Sequence, residues 1–327
     1  MELSVIIVNW NSSEYLKKCL RSLYSNLSNV EFEVIVVDNA SYDGCGEMLR
    51  SEFPTVKFIQ ALKNLGFASA NNLGGRHAHG PVLLFLNPDT EAKNRAIDRL
   101  YTQFQELPDP GVVGCRLLNS DGSLQTSCVQ AFPTIPNQIL DADLLRRWFP
   151  NSSLWGNAAL FHEGGAPVEV EAVSGACMMM RREVFEDVGG FTPDYFMYGE
   201  DIDLCFKTRR AGFHNYHISA ATVVHHGGGS SQKTDSNFSF VMMRVSVSRL
   251  LRRYRGGFYS NCYRLALTGT AIIRLISLGV VFPIWLIRGR AYRGDSAFEK
   301  WFAIISWGVG LEQWTRQYDV VGPSVND

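Results

Sequence analysis

The decapeptide Tyr198-Gly-Glu-Asp-Ile-Asp-Leu-Cys-Phe-Lys places three carboxylates, Glu200, Asp201 and Asp203, within four positions. It follows Gly189-Gly-Phe-Thr-Pro-Asp-Tyr-Phe-Met, which is mostly aromatic, small and apolar. Acids in a first helical turn complement the positive end of the helix dipole, at roughly 0.3–1 kcal/mol each. A carboxylate beside apolar neighbours can instead act as a proton acceptor, because burial raises its pKa toward the working range of a general base. The local residues admit both roles.

Other polar residues with chemical potential sit where hydrophobic runs stop. Leu3–Asn9, Phe32–Asp38, Val56–Leu62 and Pro81–Asn87 read as buried strands rich in β-branched residues or leucine. Leu16, Cys19, Leu20 and Leu23 form one helical stripe between the first two, and a helix is expected after Gly66. Strands alternating with helices imply right-handed β-α-β units, hence an α/β, doubly wound and mostly parallel sheet. Ligands of such sheets bind beyond the carboxyl ends of the strands. Those ends carry Asn9-Trp-Asn-Ser, Asp38-Asn-Ala-Ser, Asn64-Leu-Gly-Phe and Asn87-Pro-Asp-Thr. An aspartate after a strand is often a turn or cap residue; two on one rim, Asp38 and Asp89, also suit a ligand site.

An acid ending the second strand would fit a dinucleotide-dependent oxidoreductase. That function needs a glycine-rich turn after the first strand, and Asn9-Trp-Asn-Ser-Ser-Glu-Tyr-Leu contains no glycine. A diphosphate bound here needs another positive partner. A divalent cation, Mg²⁺ or Mn²⁺ with Asp89 as a hard oxygen ligand, is the economical one. Downstream, Ala221-Thr-Val-Val-His-His-Gly-Gly-Gly ends an apolar run with His225 and His226. The pair can be ordinary core or surface histidines. Alternatively, a further strand of the sheet delivers one imidazole, His225 or His226, to the metal. His77 and His79 lie where a helix should end and receive no function.

The chain of 327 residues is 46% hydrophobic and 19% charged, enough to bury a large core. Seven cysteines without a CxxC pair exclude a disulfide framework and a zinc knuckle, and imply reduced, buried thiols. The short apolar run from Leu3 has no basic leader, so no cleavable signal is expected there. The formal net charge of -1 conceals an asymmetry. Residues 241–294 hold ten arginines and no lysine or acid, whereas residues 1–240 carry -8 and the tail from Asp295 carries -3. A strongly basic segment on an acidic body points to an anionic partner.

The ordered blocks "SVIIVNWNS", "VIVVDNAS", "NLGFASANNLG", "LLFLNPDT", "VSGACMMMRREVFEDVGGFTPDYFMYGEDIDLCFKTRRAG" and "VVHHGGGSS" resemble the inverting family 2 glycosyltransferases, particularly their rhamnosyltransferase-like branch. The resemblance covers residues 3 to about 232. It implies a GT-A fold in residues 1–235, with a Rossmann-like nucleotide-sugar-binding half (1–115) and an acceptor half (116–235). A helical, Arg-rich segment (236–327) follows. It further implies that Asp38, Val8 and Asn9 contact the nucleotide base. Asn64, Gly66 and Asn71 would lie along nucleotide and sugar, and Asn87 and Asp89 at the diphosphate. Asp89 would hold the metal with His225, Asp201 would be the general base, and Glu200 would orient hydroxyls. The general Asp-x-Asp of the family is Asn87-Pro88-Asp89 here, which removes one charge from the metal site and makes an imidazole ligand more necessary. The donor implied is dTDP-rhamnose and the acceptor a glycan or polyprenyl-diphosphate lipid of cell-envelope polysaccharide synthesis. A non-catalytic nucleotide-sugar-binding scaffold is the alternative.

The longest uncharged run in the basic segment, Leu275–Ile287, has 13 residues and contains Pro283, short of the ~20 that span a bilayer. Amphipathic helices in the interface are therefore expected, with arginines of residues 241–294 on anionic head groups and Phe282, Trp285 and Leu286 dipping below. No nucleic-acid motif accompanies the charge, and no nucleic acid is expected as a partner. The expected location is the cytoplasm, peripheral on the cytoplasmic face of the plasma membrane. Asp141–Glu171, with Trp148 and Trp155, shows no firm periodicity and reads as a loop over the acceptor site or a surface excursion.

Overall fold

The computed structural model describes residues 1–140, 145, 148–149, 152–161, 165–227, 236–287, 291–312 and 314–315. They form two compact units, one of residues 1–132, 149–196 and 200–232, the other of residues 133–148, 197–199 and 233–327.

The first unit is built on a nine-stranded sheet. Strands β1 (Leu3–Asn9), β2 (Phe32–Asp38), β3 (Lys57–Gln60) and β4 (Val82–Leu86) form its parallel block, in the order β3-β2-β1-β4. Helices α1 (Ser13–Asn26), α2 (Cys45–Glu52) and α3 (Gly66–Arg76) alternate with these strands. β1 is buried along its whole length, as expected of a strand covered on both faces. Leu16, Cys19, Leu20 and Leu23 of α1 are all buried, and truncating one such leucine to alanine costs about 2–5 kcal/mol. α3 lies so close to β1 that a Cβ on Gly74 would stand 2.4 Å from Ile6 Cγ2; only glycine allows that approach.

Beyond β4 the sheet becomes mixed. After β5 (Thr90–Ala92) and α4 (Ala96–Glu106) come β6 (Pro110–Leu118), β7 (Val129–Gln130), α5 (Ile135–Ile139, in the second unit), β8 (Val168–Glu169), β9 (Ala172–Val173) and β10 (Cys177–Arg181). α6 (Arg182–Asp187), α7 (Glu200–Arg210) and β11 (His214–His225) complete the unit. β10 inserts antiparallel between β4 and β6, and Met178, Met179 and Met180 are fully buried there. β11 runs parallel to β6 and carries β5 and β8 antiparallel. All seven cysteines are free, six of them buried. Within Asp141–Glu171, residues 141–144, 146–147, 150–151 and 162–164 lie outside the described residues. Trp155 of that stretch is buried and donates its indole N–H to the Phe149 carbonyl at 2.9 Å.

The second unit is helical: α5, α8 (Ser236–Ile287) and α9 (Ala291–Gly308). Thr134 caps α5 reciprocally with Asn137. α8 is broken at Gly256, whose φ of 84° and ψ of 166° are open only to glycine. Val241, Leu251, Tyr263, Leu267, Ile304 and Trp307 form its core. Several arginines serve this packing. Arg264 donates to the Trp307 carbonyl at 2.9 Å and lies over the Trp307 ring, and Arg274 lies over Trp301, 4.5 Å from the ring centroid.

Candidate active site

The carboxyl ends of β1 and β2 meet in register, Asn9 opposite Asp38. Asp38 is buried and accepts from Asn9 Nδ2 at 3.0 Å, Gln60 Nε2 at 2.8 Å and the Ser41 amide at 3.2 Å. Asn39 ties this end to the next: it donates to Asn64 Oδ1 and accepts from the Leu65 amide, both at 2.8 Å. Asn64 Oδ1 also accepts from Gly66, whose φ is +77° and where a Cβ would meet the Phe196 carbonyl at 2.7 Å. Val8 is buried against Val37 and Ala70. Asn71 is buried inside α3 and donates to the Phe67 carbonyl at 3.0 Å.

Asp43, Ser41 and Gln60 join this rim without having been expected there. Ligand atoms of Asp38, Asp43 and Cys45 lie within 4.8 Å of one another. Burial, reinforced by both carboxylates, pushes the Cys45 thiol well up. It therefore stays protonated, and Asp43 already accepts the Ser13 and Cys45 amide protons.

The second cluster forms where β11 pairs β5, with His225 opposite Thr90. This register brings His225 Nε2 to 3.4 Å from Asp89 Oδ1 and 3.4 Å from Asn87 Nδ2. Asn87 Oδ1 is buried without a hydrogen-bond partner. A carboxylate, an imidazole and an orphaned amide oxygen are a donor set that fits Mg²⁺ or Mn²⁺. The two imidazoles are now distinguished: His226 is turned to Glu91, 2.9 Å away, and Ser120, 2.8 Å away.

The acidic triplet opens α7. Asp201 Oδ2 accepts the Gly175 amide at 2.9 Å and Oδ1 the Ile202 amide at 2.8 Å. Burial raises the Asp201 pKa, and these two bonds offset part of that rise. Glu200 is buried with Oε2 unpartnered, and burial followed by the Asp201 charge lifts its pKa well above the carboxylate range. Asp203 is a fully buried structural residue, accepting from Thr192 Oγ1 at 2.5 Å and Tyr195 Oη at 3.2 Å. The residue after Gly175, Ala176, accepts the Asn87 amide at 3.0 Å through its carbonyl. Asp201 is thus joined to the Asn87-Pro88-Asp89 turn through adjacent hydrogen bonds on one strand end.

In the helical unit, Phe258, Leu265, Ile273, Ile276 and Val280 of α8 are each more than 60% exposed, and Arg252, Arg253 and Arg255 are exposed beside Gly256. The stretch Phe238–Val280 is long and apolar enough to cross a membrane by length and composition, although the uncharged run counted in the sequence was shorter. The side chains of Phe282, Trp285 and Leu286 lie outside the described residues.

Comparison with known proteins accords with this geometry. Residues 4–189 match the profile described as Glycosyl transferase family 2. The N-acetylglucosaminyl-diphospho-decaprenol L-rhamnosyltransferase of Mycobacterium tuberculosis is 28% identical over 285 residues, 83% of this chain and 91% of that one. The rhamnosyltransferase WbbL of Escherichia coli is 26% identical over 263 residues, 77% of this chain and 93% of that one. Among solved structures, the mannosyltransferase PcManGT of Pyrobaculum calidifontis, in complex with GDP-Man and Mn²⁺, superposes with a TM-score of 0.60 at 17% identity. That superposition covers 96% of this chain and 88% of the other. The GT-A sheet and the match over most of that sheet set aside the scaffold and oxidoreductase alternatives: this chain is similar to rhamnosyltransferases, belongs to glycosyl transferase family 2 and is a glycosyltransferase.

Proposed function

We propose that the protein transfers rhamnose from dTDP-rhamnose, with inversion, to a hydroxyl of a polyprenyl-diphosphate-linked glycan in cell-envelope polysaccharide synthesis. The acceptor hydroxyl attacks the anomeric carbon, the bond from that carbon to the phosphate oxygen breaks, and the nucleoside diphosphate leaves with the electron pair. Asp201 takes the hydroxyl proton. Its two amide contacts hold the carboxylate in one orientation, and its raised pKa suits a base near neutral pH. Glu200, whose pKa is raised by burial and then by its acidic neighbour, orients a sugar or acceptor hydroxyl through a hydrogen bond. Asp38, Asn9, Val8, Asn64, Gly66 and Asn71 shape the nucleotide end, Asn71 and Val8 from inside the fold. Asp89 and His225 would hold Mg²⁺ or Mn²⁺, which when bound would supply positive charge against the departing diphosphate.

The observation that carries this reading is the bonded path from the Asp201 carboxylate through Gly175 and Ala176 to Asn87. It supports reading Asp201 as the proton acceptor that works with the donor set of the Asn87-Pro88-Asp89 turn. The names of the relatives support rhamnose and a polyprenyl-diphosphate acceptor, and the complex of the structural neighbour supports a nucleotide sugar with a divalent ion. The exposed apolar row of α8 and the arginines beside Gly256 support docking of the helical unit on an anionic membrane, at the cytoplasmic face where such lipids would be met. A donor screen tests the activity: nucleoside-diphosphate release is expected with dTDP-rhamnose and acceptor. Release from UDP- or GDP-sugars alone would overturn the donor assignment.

A further inference from the structure

Resting on the cation reading above, we propose that Gln125 is the positioning residue of that site, fixing the tautomer and ring orientation of His225. The direction of every proton in the chain of contacts follows from one carboxylate. Asp121 Oδ1 can only accept, so the Ser123 hydroxyl, 2.6 Å away, donates to it. Ser123 Oγ must then accept from Asn119 Nδ2 at 2.9 Å. That bond orients the Asn119 amide and leaves its Oδ1 to accept from Gln125 Nε2 at 3.0 Å. Gln125 therefore presents Oε1 to His225 Nδ1, 2.8 Å away, so Nδ1 carries the imidazole proton.

The consequence falls on the other ring nitrogen. His225 Nε2 is left with a lone pair, which faces Asp89 Oδ1 at 3.4 Å and the Asn87 Nδ2 amide at 3.4 Å. The 3.4 Å contact to the Asn87 amide is long for a hydrogen bond, so that lone pair remains available to a cation beside Asp89. A divalent ion with bonds of about 2.1 Å in octahedral geometry separates neighbouring ligand atoms by about 3 Å, close to the spacing present. The turn holding this relay is itself braced, the Asn119 amide bonding the Ser123 carbonyl at 2.8 Å and the Gly122 amide the Asn119 carbonyl at 2.9 Å. The same turn supplies Ser120 to His226. One short loop thus holds both imidazoles, one toward Asp89 and one toward Glu91. Partners of this kind, accepting the proton of the second nitrogen of a ligating histidine, change metal affinity about 10–100-fold when removed.

The test is calorimetric titration of Mn²⁺ alone into the full chain and its variants, with thermal melts and ¹⁵N spectra of the histidine rings. Gln125→Leu should weaken Mn²⁺ binding about 10–100-fold, leave the melt unchanged, and convert the His225 ring from the Nδ1–H form to a mixture of tautomers. Gln125→Glu, whose carboxylate still accepts the Nδ1 proton although it gives up the bond to Asn119 Oδ1, should recover part of the affinity. His225→Ala should abolish binding. If His225→Ala binds Mn²⁺ like the parent, the cation reading itself is wrong. If His225→Ala loses Mn²⁺ while Gln125→Leu keeps parental affinity and tautomer, the cation reading stands and the role of Gln125 is refuted. Should Gln125→Leu lower the melt as well, Gln125→Glu decides: recovered affinity upholds the role, and failure to recover overturns it.

Discussion

Asp201 accepts the Gly175 amide at 2.9 Å, one residue before the carbonyl that accepts the Asn87 amide. The base candidate and the Asn87-Pro88-Asp89 turn are therefore braced on adjacent residues, Gly175 and Ala176. Replacing Asp201 with asparagine keeps a carbonyl oxygen for the Gly175 bond but removes the proton acceptor. The variant is expected to bind nucleotide sugar nearly as the parent does while turnover falls by at least about 10²-fold, the lower range for general-base loss. Parental turnover in Asp201→Asn would refute the assignment. The pH profile has a fixed sign. Burial raises the Asp201 pKa, and the base works only when ionised, so activity should fall on acidification at a pH above the ordinary aspartate range.

The pairing of His225 with Thr90 across β11 and β5 leads to a second expectation. Treatment with EDTA should remove activity, and Mn²⁺ or Mg²⁺ should restore it. His225→Ala should be inactive at ordinary metal concentrations. His226→Ala, which loses contacts to Glu91 and Ser120 rather than to Asp89, should keep most of its activity. Full turnover of the parent in excess chelator would remove the metal from the mechanism.

How much of this was legible beforehand depends on how local the information is. The parallel block β3-β2-β1-β4 was readable because each strand is a continuous apolar run ending in polar residues. β10 is an equally apolar run, but its antiparallel direction depends on its partners β4 and β6, and composition does not encode direction. Glu200 and Asp201 were visible because they are adjacent in the chain. Asp203 belongs to the same triplet yet turns inward to Thr192 and Tyr195, as a residue two places along a helix must face elsewhere. The choice between His225 and His226 needed the β11–β5 register, since successive strand side chains point to opposite faces. Gln125 carried no signal, being one polar residue in a turn whose contact with His225 spans 100 positions.

His217 of β11 supplies a prediction about stability. It is 1% exposed, both ring nitrogens are buried without hydrogen-bond partners, and burial, aided by Arg116, lowers its pKa from 6.5 to about 4. In the unfolded chain the ring binds a proton below its ordinary pKa, whereas the folded protein refuses it until about pH 4. The unfolded state thus binds more protons in that window, and stability must fall as pH falls through it. At 1.36 kcal/mol per pH unit the loss by pH 5 is about 2 kcal/mol. His217→Leu should remove this acid sensitivity, so its melting temperature should fall less than the parent's between pH 7 and pH 5. Equal falls in both proteins would show that His217 titrates normally in the folded state.

The exposed row on α8 makes the last expectation the most direct to measure. Leu265, Ile272, Ile276 and Val280 are exposed and recur at intervals of seven, four and four, so they share one helix face. Tyr263, Leu267 and Ala271 are buried in the core of the helical unit. Beside the Gly256 break, Arg252, Arg253 and Arg255 are exposed, each contributing about 1 kcal/mol near an anionic surface at moderate salt. The full chain should therefore float with vesicles containing phosphatidylglycerol and sediment with vesicles of phosphatidylcholine alone. Arg252→Gln with Arg255→Gln should weaken the first interaction and make it more sensitive to salt. Ile272→Ser with Ile276→Ser should weaken it without changing the salt response, because apolar burial is not screened. A parent protein that stays in the soluble fraction with anionic vesicles at physiological salt would leave the apolar row without a membrane role.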